Sequence, residues 1–284
     1  MIVNFHKMQA LGNDFVIVEH HYSEQKLFTK ESIMAISHRL YGVGCDQMAM
    51  FYRENCFVHA SFFNNDGGEA EICGNASRCL GKLMKRFYGM LRFTIVATGK
   101  DYDVQVNNDD TVSVNIGRPS IDGNSIGLSK KIADPLNISL KHDLQMEGKK
   151  FSKWGLNRMA CVSVGNPHLV LFLDKMPPIE KVAEMGMVLS LHELFSNGIN
   201  VSFVKIISDG LMEQSSFERG TGLTMACGSG ACATAFLARE LGLINGRSVV
   251  VRQRGGNLAI EFKEDESVMQ TGPASYVFSG SIEL

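Results

Sequence analysis

Cys73-Gly74-Asn75-Ala76 and Cys227-Gly228-Ser229-Gly230 are two versions of one phrase, 154 residues apart. Reading outward from each cysteine extends the match. Asn64 and Glu218 each precede their cysteine by nine residues. Gln47 precedes Asn200 by 153 residues, and Asn13 precedes Asn166 by the same interval. The last pair sits in Leu11-Gly12-Asn13-Asp14-Phe15-Val16 and Val164-Gly165-Asn166-Pro167-His168-Leu169-Val170. Chance Gly-Asn pairs account poorly for four polar positions in one register. A duplicated chain accounts for them directly.

Local patterns repeat with the anchors. Val16–Val18 and Leu169–Leu173 read as strands. Turn-rich segments precede each cysteine, at Asn64-Asn65-Asp66-Gly67-Gly68 and Glu218-Arg219-Gly220-Thr221-Gly222. A helix follows each: Ala76, Cys79, Leu80, Leu83, Met84 and Phe87 recur at helical spacing, as do Ala231, Ala235, Ala238 and Leu241. Gly89, and Gly242 or Gly246, read as the stops. Alternation marks further strands at Asp103–Val106 with Val112–Ile116, and at Val249–Arg252 with Leu258–Phe262. The expected fold is α+β, in two pseudo-symmetric lobes. Each lobe is a mixed or antiparallel sheet, or a barrel-like one, around a central helix, with the active site in the cleft between lobes. The lobes are expected at 1–118 and 119–274, parting near Gly117-Arg118-Pro119. The last strand, Tyr276–Glu283, lies beyond the second copy, and residues 275–284 are expected to return to the first lobe. Residues 120–156 match nothing well, and their elements stay open.

Composition narrows the function. A net charge of −2 offers no basic field for a nucleic-acid backbone. The longest apolar run, Met159–Leu173, is broken by Gly165-Asn166-Pro167-His168, so no membrane span is expected. Met1-Ile2-Val3-Asn4-Phe5-His6 lacks the pattern of a secretion signal, and a soluble, cytoplasmic protein is expected. The seven cysteines (45, 56, 73, 79, 161, 227 and 232) are odd in number, which argues for reduced thiols over a disulfide framework.

A cysteine at a helix mouth lies beside unsatisfied N–H groups and the positive end of the helix dipole, both of which favour thiolate. The same donors accept an anion where glycine lets it approach. Alone, such a cysteine is more often a structural turn. Two in matching places suit a reaction that takes a proton from one face of a carbon and returns one to the other. Carbanion charge spreading onto a substrate carboxylate would be held by helix-end donors. Other chemistries fit less well. Cys73 with Cys79, and Cys227 with Cys232, are spaced so that neither pair chelates one zinc on a helix, so no metal site is expected. Gly42-Val43-Gly44 lacks the third glycine of a dinucleotide loop. No lysine is marked out for pyridoxal phosphate, and no cofactor is expected. A hydrolase pairing His168 with either cysteine stays open but leaves the other cysteine unexplained. A redox or binding protein using exposed thiols also stays open.

These stretches resemble the diaminopimelate epimerase family over essentially the whole chain. The resemblance rests on Gly12-Asn13-Asp14-Phe15, Gly42-Val43-Gly44-Cys45-Asp46-Gln47, Asn64-Asn65-Asp66-Gly67 and Cys73-Gly74-Asn75. In the second half it rests on Gly165-Asn166-Pro167-His168, Asn200-Val201, Glu218-Arg219-Gly220, Ala226-Cys227-Gly228, Gly230-Ala231-Cys232 and Thr271-Gly272-Pro273-Ala274. It implies interconversion of LL- and meso-2,6-diaminopimelate, toward lysine and peptidoglycan, by an isomerase free of metal and pyridoxal phosphate. It further implies Cys73 and Cys227 as the acid–base pair, with His168 and Glu218 tuning or orienting the thiols. By the same resemblance Asn13, Gln47, Asn64, Gly74, Asn75, Asn166, Asn200, Glu218, Arg219, Gly228 and Ser229 bind substrate. Another amino-acid racemase on the same scaffold is the alternative. Ser229 stands where the family usually has threonine, and Ala76-Ser77 replaces a more glycine-rich stretch. The implied partner is the small-molecule substrate alone, without nucleic acid or membrane, and a homodimer is left open.

Overall fold

The computed structural model describes residues 2–21, 28–70, 72–129 and 134–284. In chain order the first elements are β1 (Ile2–Ala10), β2 (Asn13–Glu19), α1 (Lys30–Ser37), β3 (Gln47–Glu54), β4 (Phe57–Asn64), β5 (Glu69–Ala70), α2 (Gly74–Tyr88), β6 (Arg92–Ala97), β7 (Lys100–Val106) and β8 (Val112–Asn115). Then come α3 (Gly123–Ile126), α4 (Lys149–Ser152), β9 (Leu156–Ser163), β10 (Pro167–Leu173), α5 (Ile179–Ser190), β11 (Asn200–Ser208), β12 (Leu211–Glu218) and β13 (Gly222–Leu223). The chain finishes with α6 (Gly228–Glu240), β14 (Ser248–Gln253), β15 (Gly256–Phe262), β16 (Val268–Gly272) and β17 (Ser275–Glu283). These elements form two compact units, Met1–Asn115 with Thr271–Leu284, and Ile116–Gln270.

In the first unit the strands run β17-β1-β2-β3-β4-β6-β7-β8. In the second they run β9-β10-β11-β12-β14-β15. The two follow one plan. Each begins with an antiparallel pair, passes through a parallel pair (β2 with β3; β10 with β11), returns by a hairpin, and adds a second parallel neighbour (β6; β14). Register repeats to the residue: Phe15 faces Gln47 as His168 faces Asn200, and Phe63 faces Glu69 as Phe217 faces Leu223. The alternating burial of β7 (Lys100–Val106) shows why such segments form strands: Tyr102, Val104 and Val106 point inward while Asp101, Asp103 and Gln105 meet water.

Parallel strands cannot be joined by a tight turn and need a crossover, commonly a helix. That requirement explains α1 and α5, neither of which the cysteine-centred periodicity disclosed. Thr29 caps α1, its side chain accepting from the Ser32 N–H. Ile33 and Ile36 of α1 join Val16, Val18, Met48 and Met50 in one apolar cluster. In the second unit Val182, Met185 and Leu189 of α5 do the same against Leu169, Leu171, Val201 and Phe203.

The opposite face of each sheet wraps the helix that follows a cysteine. Helix α2 touches β1 and β17 at one end of its run and β7 and β8 at the other. Helix α6 likewise touches β9, β10, β11, β14 and β15. Among the described residues no pairing joins β17 to β8 or β9 to β15. The sheets therefore curl around their helices without closing, in keeping with the expected mixed sheet around a central helix. Mixed α/β architecture, mostly sheet with few helices, is the observed class. Close approach of sheet to helix depends on Gly81: a Cβ there would lie 2.5 Å from Val112 Cγ1 and 3.2 Å from Val104 Cγ1. Gly89, at φ 66°, ends α2 in the left-handed conformation that glycine tolerates best.

In the stretch the repeat left open, Asp122 caps α3 by accepting from the Asn124 and Ser125 N–H groups. Single bridges tie Ser120 to Ser163 and Leu128 to Phe195.

Candidate active site

Both cysteines are helix N-caps with nearly the same extended backbone, φ −107° and ψ 109° at Cys73 against φ −113° and ψ 111° at Cys227. An N-cap residue lies outside the helical dihedrals while its carbonyl accepts the first helical bond. Ser77 N donates to Cys73 O at 2.8 Å, and Ala231 N to Cys227 O at 3.0 Å. Each thiol thus stands at the mouth of a helix whose leading N–H groups have no partner within it.

In the first unit, Cys73 is half-buried and Gly74 and Asn75 are buried. Asn75 Nδ2 donates to Asn13 Oδ1 at 3.1 Å, and Asn13 Nδ2 donates to Asp46 Oδ2 at 2.9 Å. Arg39 clamps Asp14 and Asp46 together, at 2.7 and 2.6 Å. Burial of Asp14 favours its neutral form, but hydrogen bonds from Arg39 and Lys7 outweigh it and hold the carboxyl down at about 2. Facing positions of β3 and β4 bring Gln47 Nε2 to Asn64 Oδ1 at 3.0 Å. The unit therefore gathers Asn13 with Asn75 at the helix mouth, and Gln47 with Asn64 on the adjoining strands.

In the second unit, Cys227 is 2% exposed. Gly230 N donates to its Sγ at 3.2 Å, Ser229 Oγ lies 3.6 Å from Sγ, and the Cys227 N–H donates to Gln253 Oε1 at 2.8 Å. The helix-mouth argument favours thiolate here, yet the Cys227 thiol is pushed well up. Burial is the largest cause and the Glu218 carboxylate the next; the Ser229 and Gly230 donors only partly offset them. Glu218 is itself held by Thr224 Oγ1, which donates to Oε1 at 2.5 Å. In this structure Cys227 is thus a proton-bearing thiol with a carboxylate beside it.

The other polar positions of this unit support one another. Asn200 spends its amide on Pro167 O at 3.2 Å and on the Arg219 N–H at 2.8 Å, fixing the backbone of Arg219. The Arg219 side chain is exposed and donates to Asn197 O at 3.1 Å. His168 is fully buried, with Nε2 2.9 Å from Asn166 Oδ1. Burial, and secondarily Arg219, hold its imidazole down at about 3, so it is neutral at ordinary pH. The positive imidazolium that could lower a thiol pKa is absent at neutral pH; what His168 contacts is Asn166.

Several contributors escaped the sequence reading. Gln253 is one buried polar residue in a strand, and nothing in its neighbourhood along the chain ties it to the N–H of Cys227. Asp46 lay inside a quoted motif without a role. Arg78 falls opposite the apolar stripe of α2 and reads as a solvated residue, yet it is fully buried because the sheet wraps the helix.

Comparison with known proteins shows the family of the chain. The family model described as diaminopimelate epimerase matches residues 5–121 and 160–277. A diaminopimelate epimerase of Rickettsia massiliae is 34% identical over 281 residues, covering 98% of this chain and 96% of the relative. One from Leptospira biflexa is 34% identical over the full length of both chains. Among solved structures, a phenazine biosynthesis protein of the PhzF family from Bacillus anthracis matches with a TM-score of 0.68, at 15% identity and full coverage of both chains. A probable proline racemase from Agrobacterium radiobacter matches with a TM-score of 0.67, at 11% identity, over 99% of this chain and 93% of that one. These two likenesses concern the fold. Matched by the family model through both copies of the repeat, and aligned with its relatives from end to end, the chain belongs to the diaminopimelate epimerase family.

Proposed function

We propose that the protein interconverts LL- and meso-2,6-diaminopimelate by two-thiol proton transfer at one α-carbon. The observation that carries the reading is the matched pair of N-cap cysteines, alike in backbone conformation and in place within a repeated fold. In the direction where Cys227 starts as thiol, Cys73 thiolate takes the α-proton and Cys227 delivers its own to the opposite face. The reverse direction exchanges the roles. Carbanion charge flowing into the substrate carboxylate meets the leading N–H groups of α2 and α6, at Gly74-Asn75 and Gly228-Ser229. Glu218 keeps the Cys227 proton in place until it is needed. His168 acts by holding Asn166, and Asn200 by holding Arg219. Asn13, Gln47, Asn64, Asn166 and Arg219 bind the polar ends of a two-headed substrate. The thiols and helix-end donors carry the reaction, so metal and pyridoxal phosphate have no part in it.

The test is the purified protein with LL-diaminopimelate, beside Cys73→Ala and Cys227→Ala. Wild type epimerises, and each variant loses epimerisation by several orders of magnitude while its circular dichroism spectrum is retained. Full activity in either variant would refute the assignment.

A further inference from the structure

Asp14 and Asp46 each adjoin an amide of the site, Asn13 and Gln47, yet neither takes part in the proton transfer. Each accepts the other's backbone N–H: Asp14 N donates to Asp46 Oδ2 at 3.2 Å, and Asp46 N to Asp14 Oδ1 at 3.1 Å. This exchange ties the start of β2 to the residue that leads into β3. Arg39 closes it, donating to Asp14 with both arms of its fork at 3.1 and 2.7 Å and to Asp46 Oδ1 at 2.6 Å. Lys7 Nζ donates to Asp14 Oδ2 at 2.5 Å and to Gly44 O. The turn that carries Arg39 is tight: Gly44 takes φ 77°, and a Cβ there would lie 2.9 Å from Arg39 Cα.

The Arg39 side chain is 58% exposed, and ion pairs so open to water add little stability. What the cluster fixes is direction. A guanidinium only donates and a carboxylate only accepts. With Asp46 Oδ1 taken by Arg39, Oδ2 faces Asn13 and can meet only the NH2 end of its amide, at 2.9 Å. The Asn13 oxygen then lies toward Asn75, whose Nδ2 donates to it at 3.1 Å. Asn13 is half-buried at the start of β2, and its amide turned over would put an acceptor where a donor stands. We propose that Asp46, held by Arg39, is a positioning residue that fixes the orientation in which Asn13 meets the substrate. The second unit repeats none of the three charged residues: Pro167, His192 and Ile199 stand 153 residues after Asp14, Arg39 and Asp46. There Asn166 meets a ring nitrogen of His168 instead.

The inference rests on the epimerase reading above, and its experiment separates the two. In Asp46→Asn, Arg39 claims the one remaining oxygen and turns an NH2 toward the Asn13 NH2 and the Asp14 N–H, so size is kept and direction is lost. Asp46→Asn and Arg39→Gln are checked for a cooperative melt, then assayed for KM and kcat with LL-diaminopimelate. Side-chain amide exchange at Asn13 is followed by NMR without substrate. Turnover by wild type tests the epimerase reading alone; amide exchange tests the clamp alone. The expected result for Asp46→Asn is at least about tenfold faster exchange at Asn13, with KM raised about 10- to 100-fold and kcat lowered less, as for losing a hydrogen bond to a charged group. Asn13→Ala added to Asp46→Asn should cost little more. If Asp46→Asn does not fold, Arg39→Gln carries the test, since an exposed side chain can be shortened without opening the core; it should change exchange and KM about threefold. Wild-type KM in the folded variant, unchanged Asn13 exchange, or additive losses in the double variant would overturn the proposal.

Discussion

Glu218→Gln isolates the electrostatic half of the Cys227 environment. The amide keeps the size of the carboxylate and can still accept from Thr224 Oγ1, so the main change is one negative charge. Burial alone still pushes the thiol up. A carboxylate beside a thiol opposes its ionisation, so removing the charge lowers the pH at which Cys227 ionises. Glu218 is half-buried and partly screened, so the drop is smaller than for a fully desolvated pair. The assay is the pH dependence of iodoacetamide alkylation at Cys227, read by peptide mass spectrometry in a Cys73→Ala background. The alkylation midpoint moves down in Glu218→Gln. An unmoved or raised midpoint would show that the carboxylate does not hold the thiol in its protonated form.

Further outcomes follow from packing and titration. Gly81→Ala drives a methyl into Val112 and Val104 and should cost about 1–3 kcal/mol, read as a lower urea midpoint; a neutral substitution would refute the close approach of α2 to its sheet. His168 is neutral when folded, with its pKa held down at about 3 against 6.5 unfolded. The unfolded chain thus binds the extra proton between those values, and stability falls as pH drops through that window by roughly 1.4 kcal/mol per pH unit. Urea unfolding at pH 7 and pH 5 checks this; a His168→Gln variant that folds should show a flatter profile, and an equal slope would contradict the assignment.

The repeat was legible because its anchors are polar residues whose spacing survives where apolar residues drift. Asn13 opens β2 and Asn166 stands one residue ahead of β10, Gln47 and Asn200 open β3 and β11, and helical spacing after each cysteine marked α2 and α6. The crossover helices were not legible. Short α1 was not picked out by a cysteine-centred search, and the same search passed over α5. The mixed sheet around a central helix was legible, but strand periodicity reports only which residues face inward and leaves closure unspecified. At the site, residue types pointed to two thiols and a ring of amides. What they could not convey is how burial and Glu218 outweigh the helix mouth at Cys227, since that balance depends on the third dimension. Arg78 was missed for a related reason. Helical periodicity assumes one wet face, and α2 has scarcely any over its first two turns.

The central claim is that two thiols work on opposite faces of one carbon, and brief turnover of LL-diaminopimelate in deuterated water tests it most directly. The account predicts meso product carrying deuterium at the inverted α-carbon while the recovered substrate is still unlabelled. Deuterium in the recovered substrate at early times, or product without label, would contradict it.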